Sequence, residues 1–172
     1  MTDLAFVDVH NHCKDFSPDA SQPLLERIAE ARDLGLPGII LTDHYDKDLV
    51  AQDLLPGLSP MGSRPKPGEW IFYTPEYIDR LLTERAALAS AGDPFKLLIG
   101  VELGYAPQLA EPYRAMIDFY PFDCVLASLH SLEFKDVYYF RDLYTREKLA
   151  VYSLYLEGLI QMLKDMDYAN IL

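Results

Sequence analysis

Lys96-Leu97-Leu98-Ile99-Gly100-Val101-Glu102-Leu103-Gly104 is an almost wholly apolar run interrupted near its end by one carboxylate. A run without polar alternation reads as a strand buried on both faces, as the strands of a parallel sheet covered by helices are. Glu102 is out of place there. An ionised carboxylate removed from water is costly unless it meets a cation or accepts several hydrogen bonds. No basic residue lies closer in sequence than Lys96, so a bound metal is the simplest partner.

Similar elements lie on either side. Leu4 to Val9 and Pro37 to Thr42 read as strands before this run, and Asp123 to Ser128 as a strand after it. Between them, Pro23 to Leu34 has a helical apolar face of Leu24, Ile28, Ala31 and Leu34, opened by Ser21 and closed by Gly35. Thr74 caps a second helix that begins Pro75-Glu76 and runs to about Ser90, and a short helix covers Glu111 to Phe119. Thr145 caps a long helix whose Leu149, Tyr152, Leu156, Leu159 and Leu163 form the expected core face, and Tyr168 to Leu172 reads as a fifth strand. Apolar strands alternating with amphipathic helices place the chain in the α/β class.

The 172 residues, half of them hydrophobic, suffice for one domain with a sizeable core. No stretch reaches the roughly 18 unbroken apolar residues of a membrane span, and no basic region precedes a signal-type run at the N-terminus. A cytoplasmic protein without membrane partners is expected. Cys13 and Cys124 stand far apart and form neither a disulfide framework nor a paired-cysteine zinc motif; Cys13 beside His12 reads as a passive neighbour. The formal charge of -12, from 27 acidic and 15 basic residues, repels a phosphate backbone and argues against nucleic acid as a partner.

The chemistry-bearing residues gather at strand ends. In Asp8-Val9-His10-Asn11-His12, alternate residues of an extended chain face one way, which brings His10 and His12 to within about 7 Å along the strand. Thr42-Asp43-His44 follows a second buried strand, and Ser128-Leu129-His130 a fourth. All four histidines and Glu102 thus sit at C-terminal strand ends, the edge where parallel α/β folds build their sites. Histidine and carboxylate holding divalent metal supports hydrolysis, and Ser128 lacks the GxSxG setting of a nucleophile. The Pro- and Gly-rich stretch from Val50 to Tyr73 is too long for a plain connection, and its Arg64 and Lys66 are candidates for a substrate phosphate.

These four motifs, in this order, resemble the PHP family, named for polymerases and histidinol phosphatases. Phe16-Ser17-Pro18-Asp19-Ala20, and His130-Ser131-Leu132 leading to Tyr138-Tyr139, have the look of its histidinol-phosphatase branch. The resemblance implies a distorted (β/α)7 barrel, about five of whose seven strands this chain contains. By the same resemblance His10 and His12 bind a first metal, Glu102 bridges two, His130 binds the second and His44 the third, with Asp19 assisting. Asp8, Asp43 and Ser128 are cast as groups that orient ligands or receive imidazole protons. Two or three divalent ions (Zn, Mn or Fe) are implied, with Glu102, His44 and His130 central to catalysis. The implied reaction is attack by metal-bound hydroxide on a small phosphomonoester, foremost L-histidinol phosphate in histidine biosynthesis. Family members continue past the fifth strand into further ligand motifs, so residues 1–172 read as one incomplete PHP domain, with association into a homo-oligomer favoured by open sheet edges. The alternatives are a non-catalytic PHP module that binds other proteins, or a phosphoesterase for another small phosphomonoester or nucleotide.

Overall fold

The computed structural model describes residues 6–47, 64–65, 69–133 and 135–171. In chain order these form β1 (Asp8–Asn11), α1 (Leu24–Asp33), β2 (Gly38–Leu41), β3 (His44–Tyr45), α2 (Thr74–Ser90), β4 (Lys96–Gly104), α3 (Ala110–Phe119), β5 (Cys124–Ser128), β6 (Ser131–Leu132), β7 (Lys135–Asp136) and α4 (Lys148–Asp165). Short 3-10 turns at Pro107–Leu109 and Arg141–Thr145 precede α3 and α4.

β4 organises the sheet. β2 lies parallel to its first half, from Gly38 opposite Lys96 to Leu41 opposite Ile99. β3 continues along its second half, with His44 opposite Glu102 and Tyr45 opposite Leu103. The offset is unchanged across the break, so β2 and β3 are one strand interrupted at Thr42–Asp43. β1 pairs outside β2, and β5 flanks the other side of β4, all parallel. Beyond β5, Ile171 makes a single parallel bridge to Leu126; of the strand expected over Tyr168 to Leu172 only this bridge is present among the described residues, and Tyr168 lies in a turn. The result is an arc of parallel strands in sequence order, helix-covered, with β6 and β7 as a separate antiparallel hairpin.

Two buried tyrosines brace the interruption from the helix layer. The Tyr77 hydroxyl lies 3.2 Å from Leu41 O and 2.9 Å from Gly100 O, within donating distance of both. The Tyr113 hydroxyl reaches Tyr45 O at 3.1 Å and Gly104 O at 3.0 Å while accepting the Lys47 N–H. Around them pack Leu24 and Ile28 of α1, Leu81 of α2, Met116 of α3, and Ile39, Leu97, Ile99, Val101 and Leu103 of the sheet.

The structure corrects several helix ends. At α1 the Leu24 N–H donates to the Asp15 carboxylate rather than to Ser21. Gly35, at φ 75°, closes the helix as expected: its N–H bonds Arg32 O and the Leu36 N–H bonds Ala31 O, a Schellman end. Thr74 is the first residue of α2 instead of its cap, with its hydroxyl against the Met116 sulfur. α4 is capped by Glu147, which accepts from Leu149 and Ala150 N–H, while the Thr145 hydroxyl turns back to Asp142 O. β1 lies further along the chain than Leu4–Val9; residues 1–5 fall outside the described residues.

The larger correction concerns the α4 face. Leu149 is 70% exposed, and Tyr152, Leu156 and Leu163 are also exposed; of the expected stripe only Leu159 packs on the core. Val151, Leu154, Tyr155 and Met162 occupy the inner side instead. α4 is apolar on more than one side, so periodicity finds the helix without telling which stripe faces inward.

Candidate metal centre

Glu102 stands at the C-terminal end of β4, only 2% exposed. Its Oε2 lies 3.1 Å from His10 Nε2, 3.4 Å from His44 Nδ1 and 3.5 Å from His12 Nε2. Its Oε1 lies 3.0 Å from His130 Nε2 and accepts the Ser128 hydroxyl at 2.7 Å. Each histidine comes from a different place: His10 from β1, His12 just past it, His44 from β3, His130 just past β5. Parallel pairing aligns these ends. The rings touch in series, His10 to His12 edge-on at 5.0 Å, His12 to His44 stacked at 4.3 Å, and His44 to His130 at 5.3 Å between centroids. Asp19, partly exposed, places Oδ2 3.4 Å from His44 Nε2.

Burial alone would raise the Glu102 pKa, but the His130 hydrogen bond, the neighbouring His44 and the Ser128 hydroxyl outweigh it and hold the carboxyl well below the usual range. Burial would lower His130, yet its contacts with Asp46 and Glu102 push it up to about 11. His44 is raised for the same reason against its own burial. His12 goes the other way, lowered by burial and by the adjacent His44 ring.

The sequence expectations for His10, His12, His44, Glu102, His130, Asp19 and Ser128 thus fall in one place. Asp8 and Asp43 do not touch a ring nitrogen by hydrogen bond. Asp8 accepts the backbone N–H of His10. Asp43 is buried and accepts from Cys13 N–H, the Cys13 thiol and the Ser17 hydroxyl; that hydroxyl in turn accepts the His44 N–H. Asp43 therefore anchors the backbone at His44, and burial lifts its pKa to about 6. Arg64 is held by the Glu76 carboxylate at 2.8 Å and lies over the Tyr73 ring, in a cleft lined by none of the clustered histidines. Lys66 lies outside the described residues.

Two neighbours were not anticipated. Asp46, 1% exposed, puts its carboxylate oxygens 3.1 Å from His44 Nδ1 and 3.1 Å from His130 Nδ1. The alternation that groups His10 with His12 also groups His44 with Asp46, so this signal was present in the sequence. Trp70 meets the His44 ring edge-on at 4.9 Å, and nothing local in the sequence points to it.

The residues fit divalent metal. Three donor triples, His10–His12–Glu102, His12–Asp19–His44 and His44–Asp46–His130, each have their ligand atoms within 4.8 Å of one another. Nδ1 of His12, His44 and His130 and Oδ1 of Asp46 are buried without a hydrogen-bond partner, an arrangement costly in a site made only of protein. Imidazole and carboxylate donors suit Zn, Mn or Fe.

Fold and site together define a parallel α/β protein with a histidine–carboxylate cluster, suited to metal, at its strand ends. Residues 8–170 match the PHP domain, and the chain belongs to that family. It is 27% identical to a probable histidinol-phosphatase of Clostridium acetobutylicum over 163 residues, 95% of this chain and 54% of that protein. It is 28% identical to a histidinol-phosphatase of Lactococcus lactis over 132 residues, 77% of this chain and 42% of that one. The chain spans about half the length of the curated relatives it matches. A crystal structure of the L. lactis histidinol phosphate phosphatase, complexed with Zn, L-histidinol and phosphate, superposes with a TM-score of 0.74 at 24% identity, covering 96% of this chain and 56% of that one. That likeness shows the fold: the arc is part of a PHP-type barrel.

Proposed function

We propose that this chain carries the metal-binding part of a phosphomonoesterase, with L-histidinol phosphate as the leading substrate. The observation that carries the proposal is Glu102, whose two oxygens are shared among four imidazoles. In this reading His10 and His12 hold one ion, Glu102 is shared between two, His130 completes the second, and His44 with Asp19 holds a third. Such ions, when bound, lower the pKa of water and stabilise charge on a phosphoryl oxygen. Ser128 keeps Glu102 aimed, and Asp43 through Ser17 fixes the backbone of His44. In a chain of charge -12, the cations are also what makes an anionic substrate welcome. The substrate assignment is supported by the names of the C. acetobutylicum and L. lactis relatives. Among the described residues no helix is long and apolar enough to cross a membrane, and a cytoplasmic setting accords with that substrate.

The test is phosphate release from histidinol phosphate, set against a panel of other phosphomonoesters and nucleotides, with Zn, Mn or Fe supplied to the folded protein. Histidinol phosphate should be the preferred substrate; folded, metal-loaded protein inert toward the whole panel would end the proposal. The half-length match leaves a second reading, a PHP module that binds other proteins without catalysis. Such a module should carry well under one metal per chain by elemental analysis.

A further inference from the structure

We propose that Asp46 is a positioning residue shared by His44 and His130, one buried carboxylate that accepts the Nδ1 proton of both rings and so fixes which nitrogen each turns to the metal centre. The proposal rests on the metal-centre reading above. Its geometry is simple. Oδ2 lies 3.1 Å from His44 Nδ1 and Oδ1 lies 3.1 Å from His130 Nδ1. The opposite nitrogens face the centre, His130 Nε2 toward Glu102 at 3.0 Å and His44 Nε2 toward Asp19 at 3.4 Å. Each ring therefore has one nitrogen on Asp46 and one available for a ligand role.

Asp46 is itself held in place. Its N–H donates to Trp70 O at 2.6 Å, and the Trp70 ring rests edge-on against His44. His44 Nδ1, His130 Nδ1 and Asp46 Oδ1 are buried and make no aligned hydrogen bond; Asp46, at 3.1 Å, is the nearest carboxylate to each Nδ1, with Glu102 Oε2 next at 3.4 Å from His44 Nδ1. A neutral imidazole has one N–H and one lone pair. If Nε2 of each ring gives its lone pair to an ion, Nδ1 must carry the proton and needs an acceptor, which a ligating histidine usually finds in a carboxylate.

The competing use of the same atoms is direct ligation, because Asp46 and the two rings also form one of the donor triples. An ion held there through both Nδ1 atoms would leave Nε2 of each ring either protonated, and lost to the centre, or deprotonated as imidazolate. The shared-acceptor arrangement needs neither.

The experiment is long-range ¹H–¹⁵N correlation on the zinc-loaded chain, together with zinc titration and stoichiometry for wild type, Asp46→Asn and Asp46→Glu. In wild type both rings should show a protonated Nδ1 and a metal-bound Nε2. Asp46→Asn, which can accept from one ring only, should disturb the ring state of His44 or His130 and weaken zinc binding about 10- to 100-fold, with stoichiometry at saturation unchanged. Asp46→Glu, which keeps both acceptor oxygens, should recover part of the affinity. A wild-type spectrum with metal-bound Nδ1, an Asn variant that binds zinc with unaltered rings, or loss of one whole zinc equivalent would each overturn the proposal. The wild-type spectrum decides the matter even where a variant does not fold. None of these readouts uses phosphatase activity, so a wrong substrate leaves them intact; a wild-type chain that takes up no zinc would remove the metal centre and this proposal together.

Discussion

Glu102→Gln keeps the shape of the side chain and removes its charge, which makes it the sharpest single test of the cluster. With four imidazoles around it, the amide can no longer neutralise cations held there, so metal should loosen and phosphate release should fall by about 100-fold or more. Elemental analysis and a phosphate assay check both halves; unchanged values would make Glu102 a structural acid. Ser128→Ala removes one hydrogen bond to Oε1 and should cost less, on the order of 10-fold in metal affinity. Arg64→Ala should leave the Michaelis constant near wild type, because its guanidinium is engaged by Glu76 and Tyr73 away from the histidines; a large increase would return it to the substrate. At this scale the ligand candidates were legible because a lone carboxylate in an apolar strand and histidines at strand ends are unusual on energetic grounds. Asp43 was read as orienting a ligand or taking an imidazole proton, and its contacts are of the first kind: neighbours in an extended chain face opposite ways, so beside His44 it turns to Cys13 and Ser17 and acts through the backbone.

The break between β2 and β3 is the main feature at the scale of elements. Gly100 sits opposite it, and a Cβ there would lie 2.7 Å from Thr42 Cγ2 and 2.8 Å from Leu41 O. The close approach of β2 to β4 therefore requires glycine at this position, whatever its own conformation. Gly100→Ala should destabilise the fold by roughly 1–3 kcal/mol, as overpacking does. At about 2–4 °C per kcal/mol for a chain of this size, thermal melting shows it, and an unchanged midpoint would mean the strands part freely. Because His44 follows the break directly, the same variant should also weaken metal binding. Strands and helices were readable from apolar runs and helical spacing. Their ends were less so, since Asp15 and Glu147 act as caps through contacts that depend on where neighbouring chain lies, and Ser21, Thr74 and Thr145 match the usual cap types without that placement. The β3 segment and the β6–β7 hairpin, at two residues a strand, are too short for any periodic signal.

For the molecule as a whole, two surface properties oppose each other. Leu149, Tyr152, Leu156, Ile160 and Leu163 leave an apolar stripe along α4 in contact with solvent, of the kind that in soluble proteins marks a surface awaiting contact. The net charge of -12 pushes copies of the chain apart. Salt screens the second without weakening the first, since the Debye length shortens to about 3 Å at 1 M. Association of the chain as given should therefore rise with sodium chloride, the reverse of an assembly held by surface ion pairs. Leu149→Lys combined with Leu156→Lys breaks the stripe at two solvent-exposed side chains and should abolish the salt-dependent rise while metal content stays as in wild type. Light scattering across a salt series separates the cases: equal association of wild type and double variant would show that the α4 stripe is inert.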